Sequence, residues 1–186
     1  MGQKDTYDEA LIVEQLHHQE TVNAAFGKVI EHYSQPLYWQ IRRMVIDHDD
    51  ANDVLQNTFI KAWSNIGSFR GDAKFSTWLY KIAVNESITF INKKKVQNNI
   101  SLDDDSSFLT SNLEADRYFD GDEAHLTLQK AIATLPDKQR LVFNMRYYDE
   151  MKYEDMSEIL GTSVGALKAS YHHAVKKIES FFGEED

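Results

Sequence analysis

The sequence contains no cysteine, and only 2 of its 186 residues are proline and 8 are glycine. The absence of cysteine excludes disulfides and thiolate metal sites, and it is typical of proteins from reducing compartments. Few prolines and glycines, together with few alternating apolar runs, predict an all-α protein. The apolar runs, such as residues 11–13 and 44–46, are far too short to cross a bilayer. We therefore expect a cytoplasmic protein with no membrane insertion.

Charge is unevenly distributed along a chain whose net charge is −10. Residues 96–122 carry seven Asp and Glu against one Arg, a net −6, whereas residues 67–95 carry six Lys and Arg against two acids, a net +4. Segments that are acidic and poor in apolar residues are typical of flexible linkers. The sequence therefore predicts two small helical domains, residues 1–95 and 123–186, joined by a flexible acidic linker over 96–122.

The segment from Leu135 to Phe182 predicts three helices separated by two sharp breaks. Pro136 suits the first turn of a helix and disfavours helix at the residue before it. Gly161 is a candidate C-cap of the second helix, and Thr162 or Ser163 can cap the third. Two short helices and a tight turn before a third helix are typical of a helix-turn-helix, which binds DNA.

The last of these helices has no acidic residue from Ser163 to Ile178. At 100° per residue, one side of it is apolar and the other combines small and basic residues. The apolar side consists of Val164, Leu167, Tyr171, Ala174, Ile178 and Phe181. The opposite side consists of Gly165, Ala166, Ala169, Ser170, His172, His173, Lys176 and Lys177, with Lys168 beside it. Small residues allow close approach to a groove and lysines can reach phosphates, so this side is a candidate DNA-binding surface.

The N-terminal domain contains a clear helix from Asp49 to about Ile66. Its outward face carries Asp53, Gln56, Asn57 and Ile60 at the i, i+3, i+4, i+7 spacing of a partner surface. A loop over residues 67–72 and a helix from about Phe75 to Lys95 follow. Aromatic and basic residues alternate there: Phe69, Arg70, Lys74, Phe75, Trp78, Tyr80 and Lys81. This alternation suits a groove that follows phosphates and stacks exposed bases.

Both halves resemble one family. Residues 50–85 resemble region 2 of the sigma-70 family, in its compact extracytoplasmic-function group, and residues 135–179 resemble region 4 of the same group. The two motifs occur in the right order across the acidic segment. The resemblance implies a transcription initiation factor, not an enzyme, that needs no cofactor. It implies core RNA polymerase and promoter DNA as partners, with an anti-sigma factor as a candidate third.

The resemblance also implies roles for particular residues. The polymerase-binding set is Asp53, Gln56, Asn57 and Lys61. The set that contacts the −10 element is Phe69, Arg70, Lys74, Trp78, Lys81 and Asn85. The set that contacts the −35 element is Ser163, Gly165, Ala166, Lys168, Ala169, Ser170, His172, His173 and Lys176.

Four positions depart from the family pattern. Asn57 stands where an acidic residue is usual. The residues Ser170, His173 and Val175 stand where relatives often carry arginine. The −35 surface is therefore poor in strong cationic contacts, and its base preference cannot be transferred from relatives.

Two other classes of function compete with this interpretation. A stand-alone, dimeric helix-turn-helix regulator would use the C-terminal domain and leave the basic and aromatic helix of the N-terminal domain unexplained. An enzyme would need a catalytic or metal-binding cluster. The best candidate, His48, Asp49 and Asp53, does not share a helix face, and the adjacent pairs His17–His18 and His172–His173 point about 100° apart.

Overall fold

The computed structural model describes residues 7–98 and 123–184, together with residues 110, 111 and 113. These residues form eight α-helices and no strand, which confirms the all-α prediction. The N-terminal half contains α1 (Glu9–Leu16), α2 (Val22–Val45), α3 (His48–Asn65), a 3-10 turn (Ile66–Ser68) and α4 (Phe75–Gln97). The C-terminal half contains α5 (Glu123–Ala133), α6 (Asp137–Tyr147), α7 (Tyr153–Leu160) and α8 (Val164–Glu184).

The predicted linker lies largely outside the described residues. Its first two residues, Val96 and Gln97, belong to the last turn of α4. Leu113, the one buried residue described in this segment, packs with Ile46 at the end of α2 and Ala133 at the end of α5. Ile46 has a positive φ of 69°, which is unusual for a β-branched residue.

The N-terminal half is built around the long helix α2. A single helix passes through Pro36, which is exposed. Helix α3 begins after Asp47, whose carboxylate accepts a 2.9 Å hydrogen bond from the Asp50 amide and so caps the helix. Helices α3 and α4 pack against α2. The arrangement presents the outward faces of α3 and α4 on the surface of this half.

The C-terminal half confirms the predicted helix breaks. Helix α7 ends at Gly161, which adopts the left-handed conformation with a φ of 62°. Ser163, not Thr162, caps α8, because its hydroxyl accepts a 3.3 Å hydrogen bond from the Ala166 amide. On α8, Leu167, Ala174 and Ile178 are buried as the projection predicted.

The two halves share one core, which the sequence does not predict. Buried residues of the C-terminal half join the hydrophobic cluster of the N-terminal half: Leu141, Val142, Met145, Met156, Ile159 and Leu167. Helix α6 packs against α2, and α7 packs against α4. We call this contact surface between the two halves the seam. The halves therefore form one closed body in this structure.

Candidate nucleic-acid and protein interfaces

The predicted polymerase-binding face of α3 is exposed. Asp53, Gln56 and Asn57 all face solvent, and Ile60 continues the stripe with 57% of its surface exposed. The polar part of this stripe forms one wall of an open groove of about 410 Å³. The C-terminal turns of α4 form the other wall, so the groove is acidic on the α3 side and basic on the α4 side.

The fourth residue of this set, Lys61, makes an ion pair with a neighbouring helix. Its Nζ lies 2.5 Å from Oε1 of Glu86 on α4, and the lysine side chain remains exposed. On the opposite wall of the groove, Lys94 is ion-paired with Asp50. These two pairs join α3 to α4 near the two ends of the exposed stripe.

The predicted −10 residues in the loop before α4 differ in their exposure to solvent. Phe69 is only 5% exposed, and its ring packs against Phe75 and Trp78 with ring centroids 5.3 Å apart in each case. The Phe69 ring therefore packs under the loop, against α4. Because it is buried there, it cannot contact DNA in this arrangement. Arg70 is exposed, and Gly71 turns the chain with a φ of 78°.

The remaining −10 residues form one stripe along α4. Lys74, Trp78, Lys81 and Asn85 are separated by four, three and four residues, which places them on one side of the helix. Lys81 and Asn85 are exposed and Trp78 is half-buried. Lys74 Nζ lies 3.5 Å from Oδ1 of Asp155 on α7. One end of the stripe therefore contacts the C-terminal half.

The predicted −35 surface is exposed along α8. Gly165, Ala166, Ala169, His172 and His173 face solvent. Ser170 is half-buried, and Ser163 serves as the helix cap. Because the first turns carry only small side chains on this face, a DNA groove could approach the backbone closely.

Cationic residues border this surface. Lys168 Nζ lies 5.7 Å from the centre of the Tyr153 ring, a cation–π contact that holds the lysine beside the surface. Further along the helix, Lys176 and Lys177 line an open groove of about 750 Å³, to which Thr134 and Gln139 also contribute. No sequence pattern indicates Thr134 and Gln139, because their proximity to α8 depends on how α5 and α6 pack.

The seam contains a partly buried ion pair. Arg43 on α2 pairs with Asp149, which follows α6, and the guanidinium also lies 4.9 Å from the centre of the Tyr148 ring. Burial raises the pKa of Asp149 to about 6, and the charge of Arg43 offsets only part of this rise. Burial also raises the pKa of Tyr80 to about 12, and the nearby Asp149 charge adds to it.

Polar atoms at the seam are incompletely paired. Asn144 Nδ2 donates a 3.4 Å hydrogen bond to the carbonyl of Arg43. Arg43 Nε, Asn144 Oδ1 and Asp149 Oδ2 are buried with no hydrogen-bond partner among the described residues. A buried polar group without a partner costs about 1–3 kcal/mol. The seam is therefore less favourable than its apolar contacts alone would make it.

Two family models match the chain. Residues 29–96 match the model described as Sigma-70 region 2, and residues 125–178 match the model described as Sigma-70, region 4. The ECF RNA polymerase sigma factor SigW of Bacillus subtilis is 35% identical over 156 residues, which cover 80% of this chain and 83% of that protein. This chain belongs to the extracytoplasmic-function group of the sigma-70 family.

Further relatives agree with this membership. The RNA polymerase sigma-H factor of Pseudomonas aeruginosa is 29% identical over 163 residues, covering 83% of this chain and 84% of that one. Among solved structures, CnrH in complex with the cytosolic domain of CnrY superposes with a TM-score of 0.70 at 19% identity, over 96% of this chain and 99% of the other. The sigma factor RpoE in complex with the anti-sigma factor NepR, from Bartonella quintana, gives a TM-score of 0.65 at 20% identity, over 85% of this chain and 96% of the other. These two likenesses show a shared fold.

The protein is thus a transcription initiation factor of the sigma class. Because both regions are present in family order, a stand-alone helix-turn-helix regulator is not favoured. The predicted polymerase and −10 residues lie within the region 2 match, and the predicted −35 residues lie within the region 4 match. Over the described ranges, no helix is both long and apolar enough to cross a membrane, and no three His, Asp or Glu side chains cluster as metal ligands would.

Proposed function

We propose that this protein binds core RNA polymerase and directs it to a subset of promoters, using three separate surfaces. The observation that carries this proposal is the order of the two sigma regions together with the exposure of the predicted faces on α3, α4 and α8. In this proposal the polymerase catalyses RNA synthesis, and the sigma factor binds the promoter and positions the polymerase on it. The protein acts in the cytoplasm, where polymerase and promoters are found.

The outward face of α3 is the proposed polymerase contact. Asp53, Gln56 and Asn57 present short polar side chains from a helix that is fixed by its buried side and by the Lys61–Glu86 pair. A surface carried by a preformed helix loses little backbone entropy on binding. Asn57 offers hydrogen bonds where relatives usually offer a charge, so this contact relies less on electrostatic attraction.

The loop at 69–74 and the stripe on α4 are the proposed −10 contact. Opening a duplex and holding an extruded base costs a few kcal/mol, which stacking and phosphate contacts must offset. Trp78 offers an aromatic surface, and Arg70 and Lys81 offer cations beside it. Phe69 is a positioning residue here, since its buried ring holds the loop against Phe75 and Trp78.

The outward face of α8 is the proposed −35 contact. Gly165, Ala166 and Ala169 permit close approach to base edges, and Lys168 and Lys176 reach phosphates from the two sides. In this proposal the small residues determine which bases are preferred, and the lysines contribute most of the affinity. An anti-sigma factor that covers these surfaces is a proposed further partner, since the RpoE structure contains a sigma factor of the same fold in complex with the anti-sigma factor NepR.

In vitro transcription with core polymerase on a library of promoter fragments tests this proposal. The full-length protein should direct initiation to a shared pair of −10 and −35 sequences. The Asn57→Arg variant should weaken core binding about tenfold, because it places a bulky charge in the contact. Asn52→Arg, about 140° around the same helix from Asn57 and also exposed, is the control.

The opposite results would overturn the proposal. Transcription that is unchanged by adding the protein would exclude a sigma function. A palindromic footprint formed by the protein without polymerase would instead favour a dimeric regulator. Equal weakening of core binding by the Asn57 and Asn52 substitutions would show that α3 contacts polymerase elsewhere.

A further inference from the structure

A pocket of about 300 Å³ lies at the seam, and side chains of α2, α4, α6 and α7 line it. We call it the seam pocket. Its apolar lining consists of Met44, Ile88, Ile91, Leu141 and Leu160. Met44 and Leu141 are each 5% exposed and form its floor, whereas Ile88 is 38% exposed and lies at its mouth. Both halves of the protein therefore contribute apolar walls to one partly open cavity.

The size and lining of the seam pocket suit a small molecule with a hydrocarbon body. A dry apolar cavity of about 150 Å³ holds benzene, and pockets that bind small molecules begin at about 300 Å³. None of the apolar side chains that line the seam pocket belongs to the polymerase, −10 or −35 surfaces described above. Hydrocarbon that enters the pocket leaves water and covers apolar walls, and both changes favour binding.

The wall formed by the first turn of α6 is positively charged. Asp137, Lys138 and Arg140 belong to this wall. The Asp137 carboxylate is shared by two cations, since Oδ1 lies 2.8 Å from Arg140 Nη2 and Oδ2 lies 2.7 Å from Lys95 Nζ. The exposed Lys138 adds a third cation against this one carboxylate. No side chain among the described residues caps the start of α6, so its first amides add to the positive potential.

We propose that the seam pocket binds an amphipathic monoanion, namely a medium-chain carboxylate. Its hydrocarbon chain lies against Ile88 and Leu160, and its carboxylate lies at Lys138 and the first turn of α6. A neutral apolar molecule would not use the excess of cations at this wall, and a polyphosphate would place charge against apolar walls at a desolvation cost. Because both halves line the pocket, the bound molecule stabilises their packing. This inference goes beyond the proposed function, since neither polymerase nor DNA takes part.

Isothermal titration calorimetry of the full-length protein with decanoate tests the site. Ile88→Trp fills the mouth with a larger side chain, and Thr89→Trp, at the next and also exposed position of α4, is the matched control. Lys138→Gln removes the cation proposed to hold the carboxylate, and Lys152→Gln, at an exposed lysine outside the pocket, is its control. Hexanoate, octanoate and tetradecanoate vary the chain length, and 1-octanol replaces the carboxylate of octanoate with a neutral hydroxyl.

We expect one molecule of decanoate to bind per protein. Affinity should rise by about fourfold for each methylene from hexanoate to decanoate, and it should level off before tetradecanoate because the pocket is then full. Ile88→Trp should weaken decanoate binding about tenfold or more, since its ring competes for the same space. Lys138→Gln should weaken it by about two- to fivefold, as loss of an exposed charge contact does. For the same reason, 1-octanol should bind more weakly than octanoate.

The opposite pattern would overturn the inference. Equal affinities of Ile88→Trp and Thr89→Trp for decanoate would place its site elsewhere. Affinity that keeps rising to tetradecanoate would show adsorption to general apolar surface, and this series decides the matter on the unmodified protein. Equal binding of 1-octanol and octanoate, or equal effects of Lys138→Gln and Lys152→Gln, would refute the anionic head group. Because these measurements use neither polymerase nor DNA, failure of the proposed function would leave their result unchanged.

Discussion

At the residue scale, Asp149 illustrates how burial and pairing oppose each other. Its carboxylate is ion-paired with Arg43, and such a pair alone would lower its pKa. Burial acts in the opposite direction and is the larger effect, so the pKa rises from 3.8 to about 6. Burying the charged carboxylate of Asp149 therefore costs desolvation free energy, and the attraction to Arg43 offsets only part of that cost.

This shift predicts that acidification favours the closed form. When the halves separate, Asp149 meets water and its pKa returns toward 3.8. The closed form then binds the proton more tightly than the open form, so closure gains stability as pH falls through about 6 toward 4. Because the sequence has no cysteine, Asn23→Cys and Ser180→Cys introduce one exposed labelling site in each half, and the distance between dyes at these two positions should shorten between pH 7.5 and pH 5. In Asp149→Asn this dependence should be lost, and widening on acidification would contradict the assignment.

Lys168 and Ala169, adjacent on α8, should separate affinity from base preference. Lys168→Ala should weaken −35-dependent transcription and reduce the salt slope of holoenzyme binding by about 0.9, as loss of one phosphate contact does. The set of preferred −35 sequences should stay the same. Ala169→Ser should instead change that set, because position 169 lies on the outward face itself. Lys28→Ala, at an exposed lysine of α2 in the other half, is the control.

At the scale of single elements, the turn between α7 and α8 sets the direction of the −35 surface. Gly161 accepts the left-handed conformation that ends α7, and Ser163 caps α8 two residues later. The helix end at Gly161 and the cap at Ser163 both depend only on residues that are close in the sequence. Gly165, four residues after Gly161, has helical backbone and open space where a Cβ would lie.

These two glycines should respond oppositely to alanine. Gly161→Ala should destabilise the protein by about 1 kcal/mol, since its φ of 62° disfavours a Cβ. Gly165→Ala should stabilise it by about 0.5 kcal/mol through helix propensity. Gly165→Ala should nevertheless reduce −35-dependent transcription, because its methyl group projects from the outward face. Urea unfolding and promoter assays on both variants check this, and stabilisation by Gly161→Ala would refute the role of the turn.

At the scale of the whole molecule, the closed body and the proposed function require different separations of the two halves. Promoter elements about two helical turns apart lie ~70 Å from each other. The closed body instead packs α7 directly against α4. Both elements cannot be bound at that spacing while this packing persists. The segment between the halves must then span the distance, which the 25 residues from 98 to 122 can do when extended to ~85 Å.

Core polymerase should therefore open the molecule. We predict that the label distance between positions 23 and 180 increases by tens of ångströms when core enzyme is added, as the two promoter-binding halves separate toward the ~70 Å spacing. Time-resolved energy transfer on the assembled holoenzyme measures this directly. An unchanged distance in a holoenzyme that still transcribes would show that the halves act while packed together.

The sequence by itself determined the local features. Helix periods and caps depend on neighbours in the chain, so the α8 projection, the Gly161 break and the exposed stripe of α3 were predicted. Tertiary structure alone decided the seam. Lys74 and Asp155 are 81 positions apart, and no periodicity connects them. The burial of Phe69 likewise depends on where Phe75 and Trp78 lie in three dimensions. The packing of α7 on α4 brings the charges of Lys74 and Asp155 together, because the fold decides which distant residues become neighbours.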